Sequence, residues 1–203
     1  GEPLDWPRQD LSIEPGWTDG TSYDMGHPAE LALGIMMPTQ VYPLFEIALR
    51  HESGRTADEH TRFIAEIWAR YSDVAARNPT AWNQTAYTAD EIATVTPTNR
   101  IVGYPYTKHM VSNPDVDMAS AAIICSAQTA VDLGIDRDQW VFVHSGADGK
   151  DRHVSTRASL TTSPAIRHAG AAALELAHRP VDDIDHLDVY SCFPSAVEIA
   201  CSE

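Results

Sequence analysis

Apolar side chains recur at helical spacing from Pro38 onward and then change period. Val41, Leu44, Phe45, Ala48 and Leu49 fall at i, i+3, i+4, i+7 and i+8, one stripe of a helix that Ser53-Gly54 stops. Thr56 and Glu59 then have the spacing of a capping box, in which the hydroxyl satisfies an orphan amide of the first turn. Phe63, Ile64, Ile67, Trp68, Tyr71, Val74 and Ala75 give the buried face of the helix that follows, ending near Asn78-Pro79. Thr88 with Glu91 opens a third, short helix that ends before Pro97.

The texture changes after Asn99. Ile101-Val102-Gly103-Tyr104 predicts a short strand, the apolar run Ala119–Ser126 a buried one, and Trp140-Val141-Phe142-Val143 the strongest strand of all. Ile184, Leu187, Val189 and Tyr190 predict another. Between them, Ala127–Leu133 reads as a helix stopped by Gly134. Ser163-Pro164 is an N-cap with a proline in the first turn of a longer helix. Helix alternating with strand is the pattern of a layered α/β fold. Residues 1–37 differ again. Their prolines and glycines, with Trp6, Trp17 and Tyr23, predict an irregular segment that packs through its aromatics.

Composition narrows the function. The 203 residues are 43% hydrophobic and 21% charged, enough to form a core. Fourteen Lys and Arg against 29 Asp and Glu give a formal charge of −15, which argues against binding nucleic acid or anionic lipid. No apolar run approaches the ~20 residues of a membrane span, and Gly1-Glu2-Pro3-Leu4-Asp5-Trp6 lacks the character of a signal peptide. Three cysteines without a CxxC pair are unlike a disulfide framework, so a cytoplasmic location is expected. The nine histidines show no HxxxH or HExxH spacing, so no metal site is expected. Ser195–Glu203 stops inside a helical pattern without a Gly or Asn cap, as expected of an internal piece of a longer protein.

Candidate chemistry is sparse. Gly26-His27-Pro28 reads first as a turn, and Gly146-Ala147-Asp148-Gly149-Lys150-Asp151 as a solvated loop lacking the ending of a phosphate loop. Cys125, among aliphatic neighbours, and Cys201 are expected to be small core residues. Arg100 and Lys108 are the basic residues of the Asn99–Asn113 segment, either anion contacts or solvated surface charges. Tyr190-Ser191-Cys192-Phe193-Pro194-Ser195 runs from a strand signal through a polar turn into a helix start. Such strand tips carry ligands in α/β folds, although a plain strand end with a Ser cap fits the spacing too.

Several of these segments, taken in order over residues 38–203, resemble the thiolase superfamily. The likeness is nearest to the sterol-carrier-protein-type thiolases and the actinobacterial acetyl-CoA acetyltransferases. The helices of 38–98, with Asn78-Pro79-Thr80-Ala81-Trp82, resemble the loop domain that covers the acyl-CoA site. Pro105-Tyr106-Thr107-Lys108 through Asp117-Met118-Ala119-Ser120-Ala121-Ala122-Ile123-Ile124 resembles the "DGAAA" strand, with Met118 at the glycine, so that 99–135 would end the first thiolase half. Residues 136–203 would begin the second half. Trp140–Gly146 resembles its first strand, and Ser163–Ala177 with Val181–Asp188 resembles its "GL..DDID..E" helix and strand. Tyr190-Ser191-Cys192-Phe193 falls on the NEAF or HDCF motif.

The resemblance implies a layered α-β-α-β-α fold and an enzyme that forms or cleaves a carbon–carbon bond beside an acyl-CoA thioester. CoA or acyl-CoA would be a substrate, no separate cofactor would be needed, and a homodimer or partner subunit would be expected. It places Tyr190 where the family has an oxyanion-hole Asn or His, and Lys108, Ser112, Asn113 and Phe193 along the substrate's path. The family's nucleophilic Cys would precede this stretch, and its catalytic GHP His and second Cys would follow it. Tyr at position 190 departs from the common pattern. It leaves open a retro-aldolase using that phenol as acid or base, and a protein that binds acyl-CoA without catalysis.

Overall fold

The computed structural model describes residues 12–13 and 26–203. The aromatics Trp6, Trp17 and Tyr23 of the irregular opening segment lie outside the described residues. Helices α1 (Pro28–Ala32), α2 (Pro38–Ser53), α3 (Ala57–Arg77) and α4 (Ala89–Ala93) come first. A hairpin of β1 (Ile101–Gly103) and β2 (Tyr106–Thr107) follows, then α5 (Ala127–Asp132), α6 (Pro164–Ala177) and α7 (Pro194–Ser202).

Both capping boxes form. Thr56 accepts from the Glu59 N–H at 3.3 Å while the Glu59 carboxylate accepts from the Thr56 N–H at 2.8 Å, and Thr88 with Glu91 repeats the arrangement at α4. Ser163 caps α6 by accepting from the Ile166 N–H, as its position before Pro164 predicts. His27 serves α1 in the same way, its Nδ1 accepting from the Ala29 N–H, so Gly26-His27-Pro28 is a helix start.

The core lies where α3, α4, the hairpin and the segment before α7 meet. Ile64, Ala65, Ile92, Tyr106, Met110, Cys192 and Phe193 form one buried cluster. Asn99 closes the end of α4. Its buried amide donates to the carbonyls of Glu91, Ile92 and Thr94, and its Oδ1 accepts from the His109 N–H at 2.9 Å. Thr107 adds a hydroxyl to the Ile92 carbonyl at 2.7 Å. One residue lets the hairpin sit against α2. Pro43 has no N–H, so the Thr39 carbonyl four residues earlier lacks its helical donor. A Cβ at position 103 would lie 2.2 Å from that oxygen, and only glycine fits there.

The helix faces are rotated from the sequence expectation. On α2 the buried positions are Pro43 and Glu46, while Leu44 of the expected stripe is exposed. On α3 burial runs through His60, Ile64 and Ala65, and Tyr71 and Val74 at the end of the stripe are exposed. Polar residues occupy core-facing turns because they are partnered there, as shown below.

Three expected strands carry no ladder among the described residues: 119–126, 140–143 and 184–190. The backbone there is irregular, with Ile124 97% and Val141 90% exposed. The apolar pattern records a tendency to be a buried strand, but a strand needs a neighbouring backbone to hydrogen-bond with. The one sheet of the described residues is the β1–β2 hairpin, paired Ile101 to Thr107 and Gly103 to Tyr106. Cys125 lies in the first of those segments and is exposed rather than in the core, as is Cys201 near the end of α7.

The Thr56 cap tests how far α3 depends on its local start signal. Thr56→Ala should cost about 1 kcal/mol in urea unfolding and Thr56→Ser close to nothing. Equal losses for the two would assign the effect to packing instead.

Candidate functional site

The turn before α7 is held from below and open above. Tyr190 is 78% exposed, and Ser191 beside it is also exposed. Cys192 and Phe193 turn inward, where the Phe193 ring stacks on Tyr42 of α2 with centroids 4.3 Å apart and planes 6° apart. Tyr106 of β2 meets the same ring at 5.3 Å, tilted by 54°. The Cys192 carbonyl accepts from the Ser112 N–H at 3.0 Å. Burial pushes the Tyr42 phenol well above its ordinary range. A hydrogen bond to the Cys192 side chain and the nearness of Tyr190 act in the same direction, and Arg157 opposes them. Arg157 itself is paired with Asp151 and lies over the Phe45 ring.

Beneath this turn a buried polar network joins four elements. Glu46 of α2 is fully buried. The His60 ring of α3 lies with Nε2 2.5 Å from Glu46 Oε1, and the Tyr106 hydroxyl donates to Oε2 at 2.7 Å. Arg55 Nη1 is 3.3 Å from His60 Nδ1. A guanidinium can only donate, so Nδ1 offers its lone pair and the imidazole proton sits on Nε2, facing Glu46. Ser195, buried in the first turn of α7, has its Oγ 2.8 Å from the Tyr106 hydroxyl. Glu198, one turn further along α7, brings a second carboxyl to the same place.

Glu46, His60 and Glu198 each present an atom within 4.8 Å of the others, a spacing that would suit a metal ion. The hydrogen bonds speak against that use. His60 Nε2 carries a proton toward Glu46, and Nδ1 faces an arginine, so neither nitrogen offers a lone pair to an ion. Glu198 is pushed up to about 8, first by burial, then by the Glu46 charge and a hydrogen bond to it, with Arg55 opposing. One oxygen of its carboxyl, Oε1, is buried without a hydrogen-bond partner.

Of the residues the sequence singled out, the structure brings Ser112 against the Cys192–Phe193 turn through the Cys192 carbonyl. Phe193 is the anchor of that turn and Tyr190 its exposed tip. Asn113 is exposed and closes a local turn by accepting from the Asp115 N–H. Lys108 is exposed at the start of a 3-10 turn, Lys108–Met110, its own N–H donating to the Arg100 carbonyl. Tyr42, Arg157 and the Glu46 network were not anticipated. Their trace in the sequence is Glu46 and His60, ionisable residues one turn from apolar core positions, and Glu198 between Val197 and Ile199.

Taken together, the described elements form a thiolase-like α/β fold, mostly helical with a small sheet. The solved structure that carries this assignment is a monomeric SCP2-thiolase-like protein, type 1, from Mycobacterium smegmatis. It is 30% identical to the chain, with a TM-score of 0.75 over 89% of this chain and 40% of its own. The chain therefore spans less than half the length of that protein. No family model matches the sequence, and no curated protein matches it. No helix among the described residues is long and apolar enough to cross a membrane.

Tyr106→Phe removes one donor to a buried carboxylate and the neighbour of Ser195 while keeping the ring. It should cost about 1–3 kcal/mol in chemical unfolding, the worth of a buried hydrogen bond to a charged group. A loss below about 0.5 kcal/mol would show that Glu46 finds another donor, and that the network is looser than its geometry indicates.

Proposed function

We propose that the chain is part of a thiolase-like enzyme acting on acyl-CoA thioesters, and that Tyr190 stands in the oxyanion region of its site. The observation that supports this is the construction of the 190–193 turn, in a chain similar to an SCP2-thiolase-like protein. Phe193 and Cys192 are locked inward by stacking and a backbone hydrogen bond, which leaves Tyr190 presented to solvent on a rigid base. A phenol at that position has one hydrogen bond to donate to a developing oxyanion.

The chemistry assigned to this chain is limited to what its residues do. Tyr190 stabilises negative charge on a thioester oxygen. The inward stack of Phe193 on Tyr42 fixes where the Tyr190 backbone stands. Lys108, exposed in an acidic chain, supplies local positive charge to a CoA phosphate on the segment that leads to Ser112. The carbon–carbon bond step needs a nucleophile and a proton carrier as well, and none of the residues described here is assigned either role.

Two variants of the intact protein separate these roles. Tyr190→Phe should lower the rate of acetoacetyl-CoA cleavage by about 10²-fold with little change in CoA affinity. Lys108→Ala should do the reverse, weakening CoA binding by about tenfold in low-salt calorimetry while the saturated rate is kept. A Tyr190→Phe protein with unchanged turnover contradicts the oxyanion assignment. Tight CoA binding without turnover in the unmodified protein supports the binding-only alternative.

A further inference from the structure

The acid pair beneath the turn takes no part in the proposed chemistry. Glu46 and Glu198 come from α2 and α7, and these two helices pack directly on each other. Two carboxyl groups this close in a buried place cannot both carry charge without strong repulsion, because little water screens them. Carboxyl pairs of this kind settle the conflict by keeping one proton between them.

We propose that a proton held between Glu46 and Glu198 latches α7, and with it the Tyr190–Phe193 turn, onto α2 and α3, and that its loss in alkaline solution releases α7. The charged and titratable groups facing the pair account for the direction. From α3, His60 spends its Nε2 proton on Glu46 Oε1, and from β2, Tyr106 spends its hydroxyl on Oε2. Both Glu46 oxygens therefore already have a donor. Between α2 and α3, Arg55 is a full positive charge that acts on the pair, but it is turned to His60 Nδ1 and lies over the Phe63 ring at 3.8 Å. Arg50 of α2 is occupied by the Arg55 carbonyl at 3.0 Å. Glu198 is the member left with an oxygen, Oε1, that nothing satisfies.

The surroundings of Glu198 leave room for the release. It lies on an open groove of about 640 Å3 between α3 and α7. The apolar wall is Phe63, Ile67, Tyr71, Val74 and Val197, with Arg70 and Cys201 also on the lining. An ionised Glu198 gains solvation by moving α7 outward along this groove, toward water and Arg70. A neutral Glu198 gains nothing from that movement. The folded-state pKa of Glu198 lies above the ordinary carboxylate value, so the unfolded chain gives up this proton first as pH rises. Stability from this group is complete below the ordinary carboxylate range. It falls through neutral pH and levels off once pH passes about 8.

The test is amide hydrogen exchange of α7 between about pH 6 and about pH 10, corrected for the intrinsic base-catalysed rate and compared with α4 as an internal reference. Up to the ionisation point near pH 8 the open population of α7 should rise about tenfold per pH unit and then level off, and α4 should not follow it. Glu198→Gln keeps the shape and a neutral donor but cannot ionise, so it should abolish the pH dependence while α7 stays protected. If Glu198→Gln does not fold, infrared difference spectra of the unmodified protein decide instead. A carboxylic acid C=O band must persist at neutral pH and vanish near the pH at which the α7 exchange levels off. Identical α7 exchange profiles in the two proteins, or no such band, would overturn the latch.

Discussion

A carboxylate with no access to water holds this arrangement together. Glu46 sits at the centre of α2 with none of its surface exposed. Burying a charge is costly unless donors replace its hydration, and leaving one unpaired costs more than the pair contributes. The donors come from elsewhere in the chain: His60 on α3 and Tyr106 on β2. Ser195 joins from α7 through the Tyr106 hydroxyl. One acceptor thus specifies how two long helices, a hairpin and the last helix meet, at the point from which the Tyr190–Phe193 turn departs.

The same logic of satisfied backbone and side-chain groups recurs beside it. The Asn99 side chain spends its hydrogen bonds on closing α4 and fixing the chain at His109. Pro43 frees a carbonyl that Gly103 then covers. These polar fittings place Tyr106 under Phe193, and the aromatic stack of Tyr42, Phe193 and Tyr106 turns that placement into a fixed turn. Surface ion pairs add little to it. Arg62 with Asp90 joins α3 to α4, but both side chains are more than half exposed, where such pairs contribute at most about 1 kcal/mol.

What was legible in the sequence was local. Thr56 with Glu59, Thr88 with Glu91, and Ser163 before Pro164 each state a helix start within four residues, and each forms. The β1 strand at Ile101–Gly103 and the helix after Ser126 were legible in the same way. The thiolase-like fold was readable because several ordered segments carry it together, from Asn78-Pro79 to Tyr190–Phe193, and the solved SCP2-thiolase-like structure agrees. Strands at 119–126, 140–143 and 184–190 were misjudged because a ladder is a property of two segments, and a single apolar run names only one. The buried network was hidden for a related reason. Glu46 and His60 read as solvated residues until the fold brings Tyr106, sixty residues beyond Glu46, to the same carboxylate. Spacing along a helix shows which residues share a face, not which partner will make a charge tolerable there.

The Glu46 network holds the turn closed, and Cys192 reports on it directly. Its thiol is buried in the turn, whereas Cys125 and Cys201 are exposed. In a protein with those two changed to Ser, the rate at which a disulfide reagent labels Cys192 measures how often the turn opens. That thiol should be strongly protected, and the protection lost by about tenfold or more in Glu46→Gln at unchanged helix content, since a tenfold change corresponds to about 1.4 kcal/mol of lost network energy. Labelling of Cys192 at the rate of a free thiol, or equal protection in both proteins, would contradict it.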